Sequence, residues 1–408
     1  MAGMIGTKGR RPAPVKFVAL VATLTLTACA AGETGASGSA STDLPPTTEV
    51  AETQPGPGSP TNAYPTEEFV PSEEAGETPD LPQRVAYANL GDAEIFTVWG
   101  DAMEAAAEAR DLEYTTASAN FDPATNVEQI NSFLSRGVGS MLVVELDAES
   151  QRPAVLEAMD QGVAVFTVVF GPGTSQLVTD QYASGEAAAN AMVDHINTNL
   201  DGQAEILVFN LDDREGLRPR YQAVRDVVEA AGDEINIAVD QLGSPQTAEF
   251  GFEVMNTVLQ SNAEVNVVIG EDAHVLGALA ALEAAGVADD PGWLLVGIGG
   301  EQEALEKVAE GDSPFQIDVS FALPAIGAIP AVFGAEWLAG RSIPMVTEFN
   351  PIVLDSAEAV DQFLADMEDP EALIEGPLQE TYLTHLGRIS YETRTSYYDP
   401  TAAETPAP

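Results

Sequence analysis

Short apolar runs alternate with helical patterns along most of this 408-residue chain, and that alternation restricts the fold more than any other feature. The pattern starts at Arg84 with an apolar run over residues 85–90, followed by an Ala- and Glu-rich segment up to Arg110. Strands that alternate with helices of this length form βαβ units with parallel sheets. Runs such as 267–269, Val-Val-Ile, lack polar alternation, as expected when helices cover both faces of a sheet.

The same alternation occurs twice, which predicts two similar α/β lobes rather than one wide sheet. Strands are predicted at residues 85–90, 114–117, 141–145 and 163–170 in the first series and at 205–210, 235–240, 265–270 and 294–299 in the second. The predicted fold class is therefore α/β, with two Rossmann-like lobes built on parallel sheets. We expect an N-terminal lobe of residues 84–181 plus 322–345, a C-terminal lobe of 182–321 plus 346–390, and a flexible tail of 391–408.

Residues 322–340 are largely apolar and approach the length of a membrane span. Pro324, Pro330 and Glu336 interrupt the run, and Trp337 ends it amphipathically. These interruptions predict a helix packed between the lobes rather than one in a bilayer.

The N-terminus has the three parts of a secretory signal: basic residues up to Lys16, an apolar run over 17–26, and small residues before Cys29. The tetrapeptide Leu-Thr-Ala-Cys at 26–29 resembles the lipobox of bacterial lipoproteins, in which the cysteine is lipidated and becomes the new N-terminus. The alternative is an ordinary signal peptide with an incidental thiol. Because Cys29 is the only cysteine of the chain, its position favours lipidation.

Residues 1–28 are accordingly predicted to be a lipoprotein signal peptide. Residues 29–83 are rich in Gly, Ser, Thr, Pro and Glu, and they contain no Lys or Arg. Such a segment cannot bury enough apolar surface to offset its chain entropy, so a disordered acidic linker is expected.

Acidic residues outnumber basic ones by 65 to 16, which gives a formal net charge of −49. A chain so acidic repels phosphates, so we expect no binding to nucleic acid. It also lacks a polybasic patch, so contact with the membrane is expected through the lipid anchor alone.

Signatures of enzymes are absent from the sequence. His195, His274 and His385 lie on different segments without metal-ligand spacing, and no nucleophile elbow or phosphate-binding Gly-Lys-Ser/Thr loop occurs. We therefore predict a protein that is not an enzyme and has neither a cofactor nor a metal site.

Ligands of parallel α/β sheets gather at the carboxyl ends of strands, beside helix N-termini. The candidate ligand contacts at such positions are Asp92, Phe96, Phe170, Arg218 and Asp272. Asp92 and Asp272 also suit helix capping, and Phe96 also suits a core. Arg218 opposes the dipole of the helix that it begins, which favours a functional role in a chain with few basic residues.

Two α/β lobes behind a lipobox and a linker resemble the solute-binding proteins of ABC importers, and more narrowly the periplasmic-binding-protein type 1 family. The runs that carry the resemblance are 137–144, 162–167, 270–279 and 295–300. The resemblance implies a hinged ligand cleft between the lobes. It also implies that Asp272 accepts hydrogen bonds from sugar hydroxyls, that Arg218 contacts the ligand and that Phe96 stacks on its ring. In the family a polar residue follows the first strand, and in this chain residues near Asp92 take its position.

Two departures from the family pattern concern the ligand. Sugar binders of the family commonly carry Asp-Arg after the fourth strand, where this chain has Val169 and Phe170. Gly299 replaces the aspartate that is usual in the late glycine motif. A more apolar site than that for a pentose is therefore expected.

The resemblance implies an extracellular solute-binding lipoprotein, monomeric and anchored at the outer face of the cell membrane. It would capture a sugar or a similar small polar metabolite and deliver it to an ABC permease. The alternative from the same fold is a ligand-sensing lipoprotein that signals to a membrane receptor.

Overall fold

The computed structural model describes residues 59–72, 74–91, 94–144, 147–168, 171–214, 216–261 and 264–400. The predicted signal peptide, Cys29 and the candidate contacts Asp92 and Phe170 lie outside the described residues. The interpretations of these positions therefore stay predictions.

Within the described residues, the chain forms thirteen strands: β1 (Arg84–Asn89), β2 (Glu113–Ser118), β3 (Ser140–Val144), β4 (Ala164–Val168), β5 (Ser175–Thr179), β6 (Ala204–Asn210), β7 (Ile235–Leu242), β8 (Val267–Glu271), β9 (Leu294–Ile298), β10 (Phe315–Ser320), β11 (Val346–Phe349), β12 (Ile352–Leu354) and β13 (Leu383–Leu386). The helices in the same part of the chain are α1 (Glu94–Glu108), α2 (Pro123–Arg136), α3 (Ala148–Asp160), α4 (Gln181–Asn199), α5 (Arg218–Ala231), α6 (Ala248–Ser261), α7 (Asp272–Ala285), α8 (Gln302–Glu310), α9 (Leu323–Leu338), α10 (Ala357–Met367), α11 (Pro370–Ile374) and α12 (Gln379–Tyr382).

The strands form two sheets, in the order β13-β11-β5-β4-β3-β1-β2 and in the order β12-β10-β9-β8-β6-β7. Neighbouring strands pair in parallel, except that β13 is antiparallel to β11 and β12 is antiparallel to β10. Two mostly parallel sheets confirm the predicted α/β fold class with two lobes.

Helices cover both faces of each sheet. In the first sheet, Tyr87 and Leu142 face the side of α1 and α9, whereas Ala86 and Met141 face the side of α2 and α3. All residues of β3, β4, β8 and β9 are buried, which is why these strands lack polar alternation. The sequence interpretation of the central strands is confirmed.

The boundary between the lobes differs from the expected one after residue 345. The expectation placed residues 346–390 in the C-terminal lobe, yet β11 pairs in parallel with β5 and β13 pairs with β11, both in the first sheet. Of these residues, β12 joins the second sheet, and α10 packs on β12 and α8. The chain thus passes between the sheets four times, after β5, after β10, after β11 and after β12.

Residues 59–72 and 74–82, which we call the N-terminal strap, lie along the first lobe, although a disordered linker was expected up to residue 83. The Phe69 backbone N–H donates to the carbonyl of His385 at 2.8 Å. The Tyr64 hydroxyl donates to Glu348 Oε1 at 2.6 Å, and its ring packs edge-to-face on Tyr398 at 5.4 Å. The composition of the strap favours disorder, but the contacts that Tyr64 and Phe69 make with the first lobe hold it in place.

The C-terminal segment 391–400 is also ordered against the first lobe, in contrast to the expected flexible tail from 391. Asp399 is fully buried and forms an ion pair with Arg152. The Asp399 backbone N–H donates to the carbonyl of Thr61 at 2.9 Å, so this segment also holds the strap. The last eight residues, 401–408, lie outside the described part of the chain.

The apolar segment 322–340 contains α9, which packs on α1 within the first lobe rather than between the lobes. The two helices approach so closely at Gly327 that an added Cβ would lie 2.1 Å from the carbonyl oxygen of Trp99. Trp337 is fully buried and donates its indole N–H to the carbonyl of Gly162 at 2.9 Å. Across the described residues, every helix is too short or too polar to span a bilayer.

Candidate functional site

A cleft of about 560 Å³ lies where strand ends of the first sheet face the second lobe. Its residues belong to the ends of β4, β5 and β11, the first turns of α4, α5 and α9, and the loop after β6. They are Val168, Leu177, Val178, Thr179, Asp180, Gln181, Tyr182, Arg214, Gly216, Leu217, Pro219, Ile326 and Phe349. This is the position at which parallel α/β sheets bind ligands.

The first lobe gives the cleft an apolar wall. Val168, Leu177, Ile326 and Phe349 line it, and each is at least nine-tenths buried. These side chains also belong to the core, so the wall is held rigidly by packing. An apolar wall of this kind favours contact with the carbon skeleton of a ligand over hydrogen bonding to its hydroxyls.

An aromatic pair, Phe96 and Phe121, lies near the carboxyl ends of β1 and β2. The two rings are 6.0 Å apart and tilted, and Phe96 also packs edge-to-face on Trp99 at 5.5 Å. Trp99 is buried in the core, whereas Phe121 is 55% exposed. Phe121 and the preceding residue, Asn120, have φ of 60° and 49°, a left-handed conformation that is costly for a bulky side chain. Neither ring lines the cleft, so the role of Phe96 as a ligand contact stays a prediction.

The second lobe contributes a buried polar network around Arg220. Its Nη1 donates to Glu271 Oε1 at 2.6 Å, and Nη2 donates to Gln181 Oε1 at 2.6 Å. The Tyr221 hydroxyl donates to the same oxygen of Glu271, also at 2.6 Å. Burial lowers the pKa of Arg220, but the charge of Glu271, its hydrogen bond to Arg220 and the neighbouring Tyr221 and Asp272 together more than offset this effect, so the net shift is upward. The network fixes Gln181, a cleft residue, to the end of β8.

Arg218 and Asp272 take other positions than the sequence suggested. The Arg218 guanidinium is exposed and donates to the backbone carbonyl of Asp212 in its own loop, at 3.0 and 3.3 Å. Asp272 is 1% exposed, and its Oδ2 accepts the backbone N–H of Glu301 at 2.7 Å. Neither side chain lines the cleft, so their roles as ligand contacts stay predictions.

Asp272 faces a second fully buried carboxyl, Asp318 at the end of β10. Burial is the largest cause that raises the pKa of Asp272, and the charge of Asp318 adds to it. Burial likewise raises the pKa of Asp318, to about 6. Two carboxyls in one dry site disfavour simultaneous ionisation, so at least one of the two holds a proton. Asp272 occupies the space beside Gly299, where an added Cβ would lie 2.7 Å from its Oδ2.

Four features of this region were not predicted from the sequence: Phe121, Arg214, Gln181 and the ion pair of Arg220. Phe121 could have been noticed as an aromatic in a turn, after a predicted strand. Arg220 shares its short basic stretch with Arg218, and the sequence offered no means to decide which of the two points into the protein. Of the loops that the sequence pattern singled out, the one after β6 lines the cleft through Arg214 and Gly216, whereas Arg218 does not line it.

Comparisons with known proteins agree with this geometry. A family model described as "Periplasmic binding protein domain" matches residues 85–331. The xylitol-binding protein of Mycolicibacterium smegmatis is 26% identical over 232 residues, which cover 56% of this chain and 65% of that protein. The D-apiose import binding protein of Actinobacillus succinogenes is 27% identical over 213 residues, covering 50% of this chain and 66% of that protein. The chain thus spans about two thirds of the length of these relatives.

Solved structures share the fold over most of their length. A periplasmic ribose ABC transporter protein from Conexibacter woesei superposes with a TM-score of 0.61 at 20% identity, covering 71% of this chain and 97% of that chain. An ABC transporter solute binding protein from Bacillus halodurans with bound myo-inositol gives a TM-score of 0.57 at 22% identity, covering 70% and 99%. At such identities the likeness establishes the common fold.

Proposed function

This chain belongs to the periplasmic binding protein domain family, and from that premise we propose that it is the solute-binding component of an ABC importer. Its ligand is a sugar or a similar small polyol, captured between the two lobes and delivered to a membrane permease. The protein binds its ligand as a monomer and does not transform it. The match of the family model over residues 85–331 confirms the family resemblance drawn from the sequence.

The observation that carries this proposal is the cleft itself. Both lobes contribute to its lining: Leu177 and Phe349 come from the first sheet, and Leu217 comes from the loop before α5 of the second lobe. A volume of about 560 Å³ lies within the range of small-molecule sites. The chain crosses between the sheets beside this cleft, at Asp180, so a small change in backbone angles there can close the lobes on a ligand.

The two sides of the cleft contact different parts of the ligand. The apolar wall, together with the Phe96 and Phe121 rings, contacts the carbon face of the ligand. Gln181 and Arg214 hydrogen-bond its polar edge. Asp92 and Phe170, which follow β1 and β4 in the sequence, stay predicted ligand contacts from the sequence alone. Relatives whose names specify xylitol, D-apiose and rhizopine support a ligand of this class.

Lipidation of Cys29 would hold the protein at the outer face of the cell membrane. The segment between Cys29 and the strap would then serve as the tether, because the strap is already bound to the first lobe at Tyr64 and Phe69. Anchoring keeps the captured solute close to the permease. This proposal rests on the signal pattern in the sequence and on the export that the family name implies.

A thermal-shift assay against a panel of sugars and polyols tests the function. We expect at least one compound to raise the melting temperature, because a ligand at about 100 times its Kd adds about 2.7 kcal/mol to the stability of the folded state. The variant Leu217→Arg places a long charged side chain in the cleft and is expected to abolish the shift.

Leu364→Arg is the matched control, because Leu364 is 48% exposed on α10 and does not line the cleft. This variant is expected to keep the full ligand-induced shift. A shift that survives in Leu217→Arg would place the ligand elsewhere, and a panel without any shift would contradict the proposed function.

A further inference from the structure

The cleft contains an arginine without a carboxylate partner. In the part of the chain that the structure describes, Arg214 Nη1 donates to the amide oxygen of Gln246 at 2.7 Å, and no carboxylate lies within ion-pair distance of its guanidinium. In a chain with 65 acidic and 16 basic residues, acidic partners are abundant, so an unpaired arginine in a cleft needs an explanation. A guanidinium beside apolar walls is most stable when an anion accepts two of its N–H groups.

Two neighbouring arginines of the same segment are neutralised. Arg220 pairs with Glu271 at 2.6 Å, and Arg225 pairs with Asp212 at 2.8 Å and with Asp240 at 2.7 Å. Arg218 forms no ion pair with a described residue either, but its guanidinium donates to the backbone carbonyl of Asp212 and does not line the cleft. Arg214 is the arginine of this segment that lines the cleft.

Two carboxylates beside the cleft, among the residues that the structure describes, already have other partners. Asp180 caps α4 by accepting the backbone N–H of Ala183 at 2.9 Å. Asp213 accepts the hydroxyl of Ser244 at 2.7 Å. Neither of them forms an ion pair with Arg214, so the charge of this arginine is available to a ligand.

We propose that the ligand is an acidic sugar or polyol, such as an aldonate or a uronate, whose carboxylate binds Arg214. This inference rests on the proposed function and narrows its substrate class. The remaining carbon chain lies against Val168, Leu177 and Ile326, and it needs fewer hydroxyl partners than a neutral sugar. An anion held by a planar guanidinium accepts two parallel N–H bonds, which also fixes its orientation in the cleft.

Isothermal titration calorimetry with matched pairs tests this inference: glucose and glucuronate, galactose and galacturonate, xylitol and xylonate. We expect the acidic member of at least one pair to bind about tenfold more tightly than its neutral partner, which corresponds to one charge-assisted hydrogen-bonded contact. Arg214→Gln is expected to remove this preference, and Arg214→Lys to retain part of it. Because Arg214 is exposed, neither variant is expected to impair folding, which its melting temperature would verify.

Arg341→Gln serves as the control for a simple loss of positive charge, since Arg341 pairs with Glu336 on the surface away from the cleft. It is expected to keep the preference for the acid. Equal or tighter binding of the neutral members would overturn this inference while leaving the proposed function intact. If no member of any pair binds and no other sugar does, both fail together.

Discussion

Replacing Arg220 with alanine is expected to lower the free energy of unfolding by about 3–5 kcal/mol, the usual effect of removing one partner of a buried ion pair. Arg220 is 5% exposed, and its loss would leave the carboxylate of Glu271 buried with the Tyr221 hydroxyl as its strongest remaining donor. The change would also free Gln181, which two N–H groups of Arg220 hold in the cleft. Urea denaturation measures the first effect, and ligand titration measures the second.

Arg225→Ala is the matched control, because Arg225 lies on the same helix in a more exposed ion-pair network with Asp212 and Asp240. It is expected to cost about 1 kcal/mol, as exposed pairs do. The double variant Arg220→Met with Glu271→Met is expected to recover most of the stability, since apolar side chains of similar volume avoid the unpaired charge. If Arg220→Ala and Arg225→Ala cost the same, the network does not have the buried character that we assign to it.

The stability of the wild-type protein relative to Asp318→Asn is expected to fall by about 3 kcal/mol between about pH 4 and about pH 7. Burial raises the pKa of Asp318 from 3.8 to about 6, so the folded state binds this proton more tightly than the unfolded state does. The stabilisation is complete below the unfolded value and is lost as the pH rises through about 6. The size follows because a pKa difference of one between the folded and unfolded states corresponds to about 1.36 kcal/mol.

The difference between the two proteins is the quantity to measure, because His274 and His385 act in the opposite direction. Burial lowers the pKa of both histidines, so their contribution to stability is lost as the pH falls. These contributions cancel in the comparison. Asp361→Asn, at an exposed position on α10, is expected to show no such pH-dependent difference. Parallel curves for the wild type and Asp318→Asn would show that burial does not raise the pKa of Asp318.

The central strands could be predicted because their whole surface is buried. Apolar runs such as β8 and β9 have no other stable location than a sheet covered on both faces. By contrast, β5 contains Ser175 and Gln176, which are buried but polar, and it was missed. Gln176 is accommodated because its amide donates to the carbonyl of Gly171 and, at 3.4 Å, to the carbonyl of Tyr398. The second contact, with the distant C-terminal segment, is one that no local pattern reveals.

The assignment of β11 and β13 to a lobe could not be read from their order in the chain. Both follow the second series of strands, but β11 extends the first sheet by pairing with β5. The strap was missed for a related reason, since its two aromatic anchors, Tyr64 and Phe69, gain stability from partners more than 260 residues away. Long-range pairing of this kind is a tertiary property.

The choice between Arg218 and Arg220 illustrates what limits the prediction of a site. Two residues apart on a helix, they point to nearly opposite sides, so one is exposed and the other is buried. The same holds at the end of β8, where Glu271 joins the polar network and Asp272 turns toward Asp318. A pattern of residues locates the loop, whereas the angular position of each residue around the helix decides which side chain is buried and which is exposed.

The central claim is that the cleft between the lobes captures one small solute, and native mass spectrometry of the freshly purified protein tests it most directly. The predicted result is a non-covalent adduct of one small molecule for each chain, with the mass of a sugar, a polyol or a sugar acid. This adduct is expected in the wild type and in Leu364→Arg but not in Leu217→Arg. An adduct retained equally by Leu217→Arg, or a wild type that stays bare even after incubation with the full panel of sugars and sugar acids, would contradict the account.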